Sequence, residues 1–234
     1  MRPIGFSTGA IARGDFRRGL ALTHSAGCKV VELSALRQNE LEHLIEATPE
    51  MDLGEFEYVS VHAPSVIHGD KEAETVSLIS TVIRRGWPIV VHPDALTRFA
   101  LWRGFGKLLC IENMDKRKPI GRTAAELTKV FAELPEATFC FDIGHARQVD
   151  PTMTEAYLLL KQFGPRLRQV HVSEVNTASR HDRLSFTSQL AFQEIAHLIP
   201  EQVPLVLETP LTADKMQAEL GVVRKTFGPR ARVA

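Results

Sequence analysis

The sequence predicts an α/β chain closed into a (β/α)8 barrel, and three observations carry that expectation. Short apolar segments recur eight times along the 234 residues, segments of helical character separate them, and five of the apolar segments end on a histidine or a carboxylate. Strands that are apolar almost throughout and alternate with helices pair in parallel, because each right-handed crossover lays a helix over a face of the sheet. Eight such units in a chain of this length favour closure over an open doubly wound sheet. The open sheet usually places a glycine-rich phosphate loop after its first strand, where FSTGAIARGD offers only a loose glycine pair.

Taken in order, the strand candidates are IGFST (4–8), KVVEL (29–33), YVSVH (58–62), PIVVH (88–92), LLCIE (108–112), TFCFD (138–142), RQVHV (168–172) and PLVLE (204–208). Helical segments are expected at 14–26, 37–47, 71–85, 122–134, 153–163, 187–198 and 212–226, with a shorter one around 95–105. Gly, Pro or Asn stands near many of their ends, as helix termini require. No Gly/Ser-rich, Pro-rich or charge-block stretch reads as a linker, so 1–234 is expected to form a single TIM-barrel domain.

A chain that is 44% hydrophobic and 24% charged can bury a substantial core without disulfides. Its 28 basic and 28 acidic side chains cancel, so no global field draws it to nucleic acid or to an anionic membrane, and only a local patch stays open. The start, MRPIGFSTGAIARGDF, lacks the apolar run of a signal peptide, and no stretch is long and apolar enough to span a bilayer. A soluble, cytoplasmic protein is expected. Cys28, Cys110 and Cys140 are too few and scattered for a disulfide framework and read as packing residues.

The chemistry is carried by the strand ends. His62, His92, Glu112, Asp142 and Glu208 each close an apolar segment, and His171 lies within the seventh. In a β/α barrel the C-terminal strand ends converge on one rim, so residues distant in sequence become neighbours there. Each alone reads as a hydrogen-bonded core residue. Gathered at one level, carboxylates and imidazoles would repel or stay unpaired unless a divalent cation satisfied them. Strand alternation then directs Ser60, Val90, Cys110, Cys140, Gln169 and Val206, two residues before each, into the barrel interior.

VHAPS (61–65), VVHPD (90–94), IEN (111–113), FDIGHA (141–146), HVSE (171–174), SRHD (179–182) and LETP (207–210) together resemble the xylose-isomerase-like barrels, along most of the chain. That superfamily contains sugar isomerases and epimerases as well as the endonuclease IV abasic-site nucleases. The resemblance to the epimerases implies one divalent ion on Glu112, Asp142, His171 and Glu208, with Glu112 and Glu208 as paired acid and base about an enediolate. The resemblance to endonuclease IV implies three zinc ions and adds His62, His92, His145 and His181 as ligands. Where that family has an Asp two residues before the last His, this chain has Ser179, a far poorer zinc ligand. The implied cofactor is therefore a divalent ion, Mn, Mg, Co or Zn, at one to three per chain.

His145, Glu174 and Arg180 are further candidates for substrate contact, with orientation of His171 as the other role open to Glu174. Glu32 reads as a buried glutamate bonded to backbone or to an arginine, with a reach into the site as its other reading, while His24, His43, His68 and His197 are given no chemistry. The leading expectation is a metal-dependent isomerase or epimerase of a small sugar or polyhydroxy carbonyl compound. The alternatives are a multinuclear phosphoester hydrolase, a multinuclear-iron oxygenase, or a barrel that binds without turnover. A small-molecule substrate is expected, nucleic acid is not, and the helix faces leave a homodimer open.

Overall fold

The computed structural model describes residues 2–228. The eight expected strands all form: β1 (Ile4–Ser7), β2 (Val30–Ser34), β3 (Tyr58–His62), β4 (Ile89–Val91), β5 (Leu109–Glu112), β6 (Thr138–Asp142), β7 (Leu167–Val172) and β10 (Leu205–Leu207). They close as a parallel barrel in the order β1-β10-β7-β6-β5-β4-β3-β2. A small antiparallel hairpin, β8 (Glu174–Val175) with β9 (His181–Asp182), rises from the end of β7.

The outer layer holds α2 (Phe16–Ser25), α3 (Gln38–Ala47), α4 (Glu72–Ser80), α6 (Ala124–Glu133), α8 (Thr154–Phe163), α9 (Phe186–Ile195) and α10 (Ala213–Phe227), close to the expected spans. The short helix expected around 95–105 is α5 (Phe99–Trp102), continued by tighter turns. Two helices were not expected, α1 (Thr8–Ala12) and α7 (Ile143–Val149), each starting directly at a strand end with no intervening loop. No helix among the described residues is long and apolar enough to cross a membrane.

Period-2 alternation sorts the strand residues into two cores. Phe6, Val31, Leu33, Val61, Ile89, Ile111, Phe139, Phe141, Val170, Leu205 and Leu207 pack outward against the helices in one continuous cluster. Complete burial of each such side chain contributes about 1.5–3 kcal/mol. Val90, Cys110 and Cys140 form a separate buried cluster inside the barrel, as their register requires. The remaining interior is polar: Tyr58 donates to Gln169 Oε1 at 2.8 Å, Gln169 Nε2 to Glu32 Oε2 at 2.7 Å and Ser60 Oγ to Glu32 Oε2 at 3.2 Å. This layer sits directly beneath the functional rim and fixes its side chains. All three cysteines are free and buried.

Candidate metal centre

The strand ends deliver the expected residues to one place. His62 and Glu112 are the last residues of β3 and β5, Asp142 the last of β6, and His171 the penultimate residue of β7. His92 and Glu208 follow β4 and β10 by a single position. Asp142 also starts α7, its Oδ1 accepting from the His145 backbone N at 2.6 Å, which swings His145 over the same rim. His181 arrives on the hairpin.

Three abutting groups result, in which ligand atoms lie within 4.8 Å of one another: His62, His92 and Glu112; Glu112, Asp142, His171 and Glu208; and Asp142, His145 and His181. Glu112 and Asp142 each belong to two groups, so the carboxylates are the shared members. Glu112 Oε2 lies 3.3 Å from His62 Nε2 and 3.4 Å from His92 Nε2, and its Oε1 lies 3.2 Å from His171 Nδ1 and 3.4 Å from His145 Nδ1. Glu208 Oε2 stands 3.5 Å from His171 Nδ1 and 3.6 Å from His181 Nδ1. Ligands about 2.1 Å from one tetrahedral ion would stand about 3.4 Å apart, so these spacings fit coordination of divalent ions. Asp142 Oδ2 is buried there without a hydrogen-bond partner, an acceptor that a cation would satisfy.

The free imidazole nitrogens are set from behind. His62 Nδ1 donates to the Ala63 carbonyl at 2.7 Å, leaving Nε2 to face Glu112. His171 Nε2 donates to Glu32 Oε2 at 3.0 Å, leaving Nδ1 to face Glu112 and Glu208. Glu32 is thus bonded to His171, Gln169 and Ser60, rather than to backbone or an arginine as expected. With an ion held at His171 Nδ1, Glu32 would be the carboxylate half of a carboxylate–histidine–metal arrangement. Asn113 clamps β5 to β6, donating from Nδ2 to the Asp142 carbonyl and accepting at Oδ1 from the Asp142 N, both at 2.8 Å.

The electrostatics record how tightly these groups are forced together. Burial would raise the Glu112 carboxyl, but His171, His145 and His62 hold it well below the usual range. Burial raises Asp142 to about 6. His145 is driven down by burial yet lifted to about 10 by Asp142 and Glu112, while burial and the His145 charge push His181 down to about 4.

The groups open into a cleft of about 250 Å³, whose wall adds Leu36, Ser65, Met114, Asp115, Arg117 and Lys118. Lys118 Nζ bonds Asp94 at 2.8 Å, and Arg117 bonds Asp115 at 3.1 Å and the Ser179 carbonyl at 2.9 Å. Ser179 lines the cleft beside His181, but its Oγ accepts from Gln148. Two expected substrate contacts stand elsewhere. Glu174 accepts from Ser185 N and Ser188 Oγ at the start of α9 and pairs with Arg147, so it neither orients His171 nor lines the cleft. Arg180 projects from the hairpin turn and is exposed. Asn113, Asp115, Arg117 and Lys118 were missed; the run ENMDKRK directly after β5 was the available signal.

The sequence matches no protein-family model and no curated protein. Among solved structures, an endonuclease IV from Thermus thermophilus superposes with a TM-score of 0.64 at 17% identity, over 97% of this chain and 98% of the other. An L-ribulose 3-epimerase gives 0.55 at 16% identity over 100% and 89%. A xylose isomerase-like TIM barrel protein from Mycobacterium smegmatis, in complex with magnesium, gives 0.58 at 11% identity over 97% and 98%. The chain has the (β/α)8-barrel fold that these structures share. Those neighbours include both an epimerase and a nuclease, so the likeness carries the barrel and leaves the reaction to the residues.

Proposed function

We propose that this chain is a metal-dependent phosphoester hydrolase that holds two or three divalent ions. The observation that carries this reading is the set of three abutting ligand groups joined through Glu112 and Asp142. Ions held there would neutralise charge building on a phosphoryl group and make water a stronger nucleophile. The chain's own residues supply the rest. His62, His92 and Glu112 form one wall, Asp142, His171 and Glu208 the centre, and His145 with His181 the opposite wall. Glu32 and the Ala63 carbonyl hold two of the imidazoles in the ligating tautomer. Lys118 and Arg117, on the loop after β5 and paired with Asp94 and Asp115, place hydrogen-bond donors at the mouth where a phosphate enters. The small volume of the cleft favours a small phosphoester over a nucleic acid duplex.

A one-ion isomerase is the second reading, favoured by the complete group of Glu112, Asp142, His171 and Glu208. Against it, both Glu112 oxygens are engaged by imidazoles, whereas enediolate chemistry asks that glutamate to carry a proton to and from one face of the substrate. The isomerase also leaves His62, His92 and His181 without a task.

Elemental analysis of protein purified without a chelating tag, paired with turnover of bis(4-nitrophenyl) phosphate, tests the two. More than one ion per chain and release of nitrophenol, both abolished in Glu112→Ala, are expected. One ion per chain, no nitrophenol, and metal-dependent exchange of a ketose C3 proton with deuterated water would establish the isomerase instead.

A further inference from the structure

A second groove, of about 470 Å³, opens on the same rim of the barrel, between the turn after β1 and the segment after β10. Its floor is apolar, from Ile11, Leu22 and Leu211, and its edge carries Arg13, Arg18 and Lys215. Asp182 and Arg183, which also line it, directly follow His181, and Pro210 stands two residues beyond Glu208. The groove therefore shares its dividing wall with the metal centre.

Several surface cations have a carboxylate partner. Arg37, Lys71, Arg103 and Arg122 each pair with a nearby glutamate, and Arg183 is matched by the buried Glu219 at 2.9 Å. The side chains of Arg13, Arg18 and Lys215 make no hydrogen bond or ion pair with a described residue. Asp182 is the carboxylate among the residues that line the groove, and Arg13, Arg18 and Lys215 outnumber it there. Arg13 is also held at φ 47°, a left-handed conformation that glycine or asparagine adopts more readily, and Gly14 completes the turn at φ 93°. The turn thus sets an arginine at the groove edge against its backbone preference.

We infer that this groove is a second binding site, which takes an oxyanion, phosphate or carboxylate, attached to an apolar body. Under the hydrolase reading, on which this role rests, that oxyanion belongs to the part of the substrate beyond the ester that is cleaved. Guanidinium forks suit a planar or tetrahedral oxyanion, and the apolar floor suits the group that bears it.

The test is calorimetric titration of the full-length protein, as purified, with phenyl phosphate and with benzoate, which separate the two headgroups. Phenyl phosphate, benzoate or both should bind at least tenfold more weakly to the Arg13→Glu/Arg18→Glu/Lys215→Glu variant than to the parent chain. Arg17→Glu, beside Arg18 on α2 but outside the groove, should leave affinity unchanged. Lys215→Glu alone, an exposed single change, should weaken binding in the same direction and guards against misfolding of the triple variant. Equal affinity in the parent, triple and single variants, or no binding to the parent chain, would overturn the inference. Bound phenyl phosphate without any turnover of bis(4-nitrophenyl) phosphate would remove the hydrolase reading and leave this site standing.

Discussion

Glu32 shows how a single buried side chain can govern the rim without touching what binds there. It accepts from His171 Nε2 and so decides which nitrogen of that ring faces Glu112 and Glu208. Replacement by glutamine keeps the volume but removes the charge that would make His171 a strong ligand. Glu32→Gln should therefore lower metal affinity roughly 10- to 100-fold, read by competition with a chromogenic chelator, while the melting temperature of the loaded protein moves little. Unchanged affinity would reduce Glu32 to a filler of the barrel interior. The sequence marked Glu32 as a buried strand glutamate, yet its partners Gln169 and His171 stand 137 and 139 positions away, and only closure of the barrel brings them together. Glu174 illustrates the opposite failure. Its nearness to His171 in sequence suggested a partnership, but the hairpin turns it toward α9.

At the scale of elements, α7 escaped the sequence reading because β6 runs into it through Asp142, which serves at once as last strand residue, helix cap and candidate ligand. The geometry depends on Gly144. A Cβ there would stand 2.4 Å from the Ser173 carbonyl and 2.9 Å from Val175, so only glycine lets α7 approach the hairpin this closely. Gly144→Ala is expected to cost about 2 kcal/mol in denaturant unfolding and to weaken the group of Asp142, His145 and His181 selectively. A variant that keeps full stability and full metal content would show that the contact can relax.

The loop after β4 rests on a different device. Glu72 of α4 is buried and accepts from Thr97 N, Thr97 Oγ1, Arg98 N, Arg98 Nε and Trp102 Nε1. Burial would raise its carboxyl, but these donors hold it down to about 2 against 4.5 in the open chain. A depressed folded value means that the stabilisation is present in full above the unfolded value and is lost as the folded carboxyl takes up its proton. Stability should fall between about pH 4.5 and 2 in the parent chain, and Glu72→Gln should flatten that acid limb. The variant should also lose about 2 kcal/mol at neutral pH, measured by urea titration.

Across the whole molecule, the closed barrel was legible because its requirement is periodic: eight apolar segments, each followed by a helix, leave one economical arrangement. The gathering of His62, His92, Glu112, Asp142, His171 and Glu208 follows from closure alone. Division of these residues among three groups, and the cationic groove beside them, depend on loop conformations that strand periodicity does not encode. The arrangement nevertheless makes a demand on the entire fold. Three buried carboxylates, Glu32, Glu112 and Asp142, with the half-buried Glu208 and several imidazoles, share one rim and the layer beneath it, and in the absence of a cation each must be satisfied by its neighbours. Ions that bind the native barrel and not the unfolded chain add stability that grows with their free concentration. At 100 times the dissociation constant this is about 2.7 kcal/mol per site. In a chain of this size that converts to roughly 5–10 °C. Removal of metal by a chelator should therefore lower the melting temperature by that amount or more, and readdition of ions should restore it. Glu112→Ala, which breaks two of the three groups at once, should lose most of this chelator-dependent shift; a parent chain indifferent to the chelator would show that the rim is held by its own hydrogen bonds.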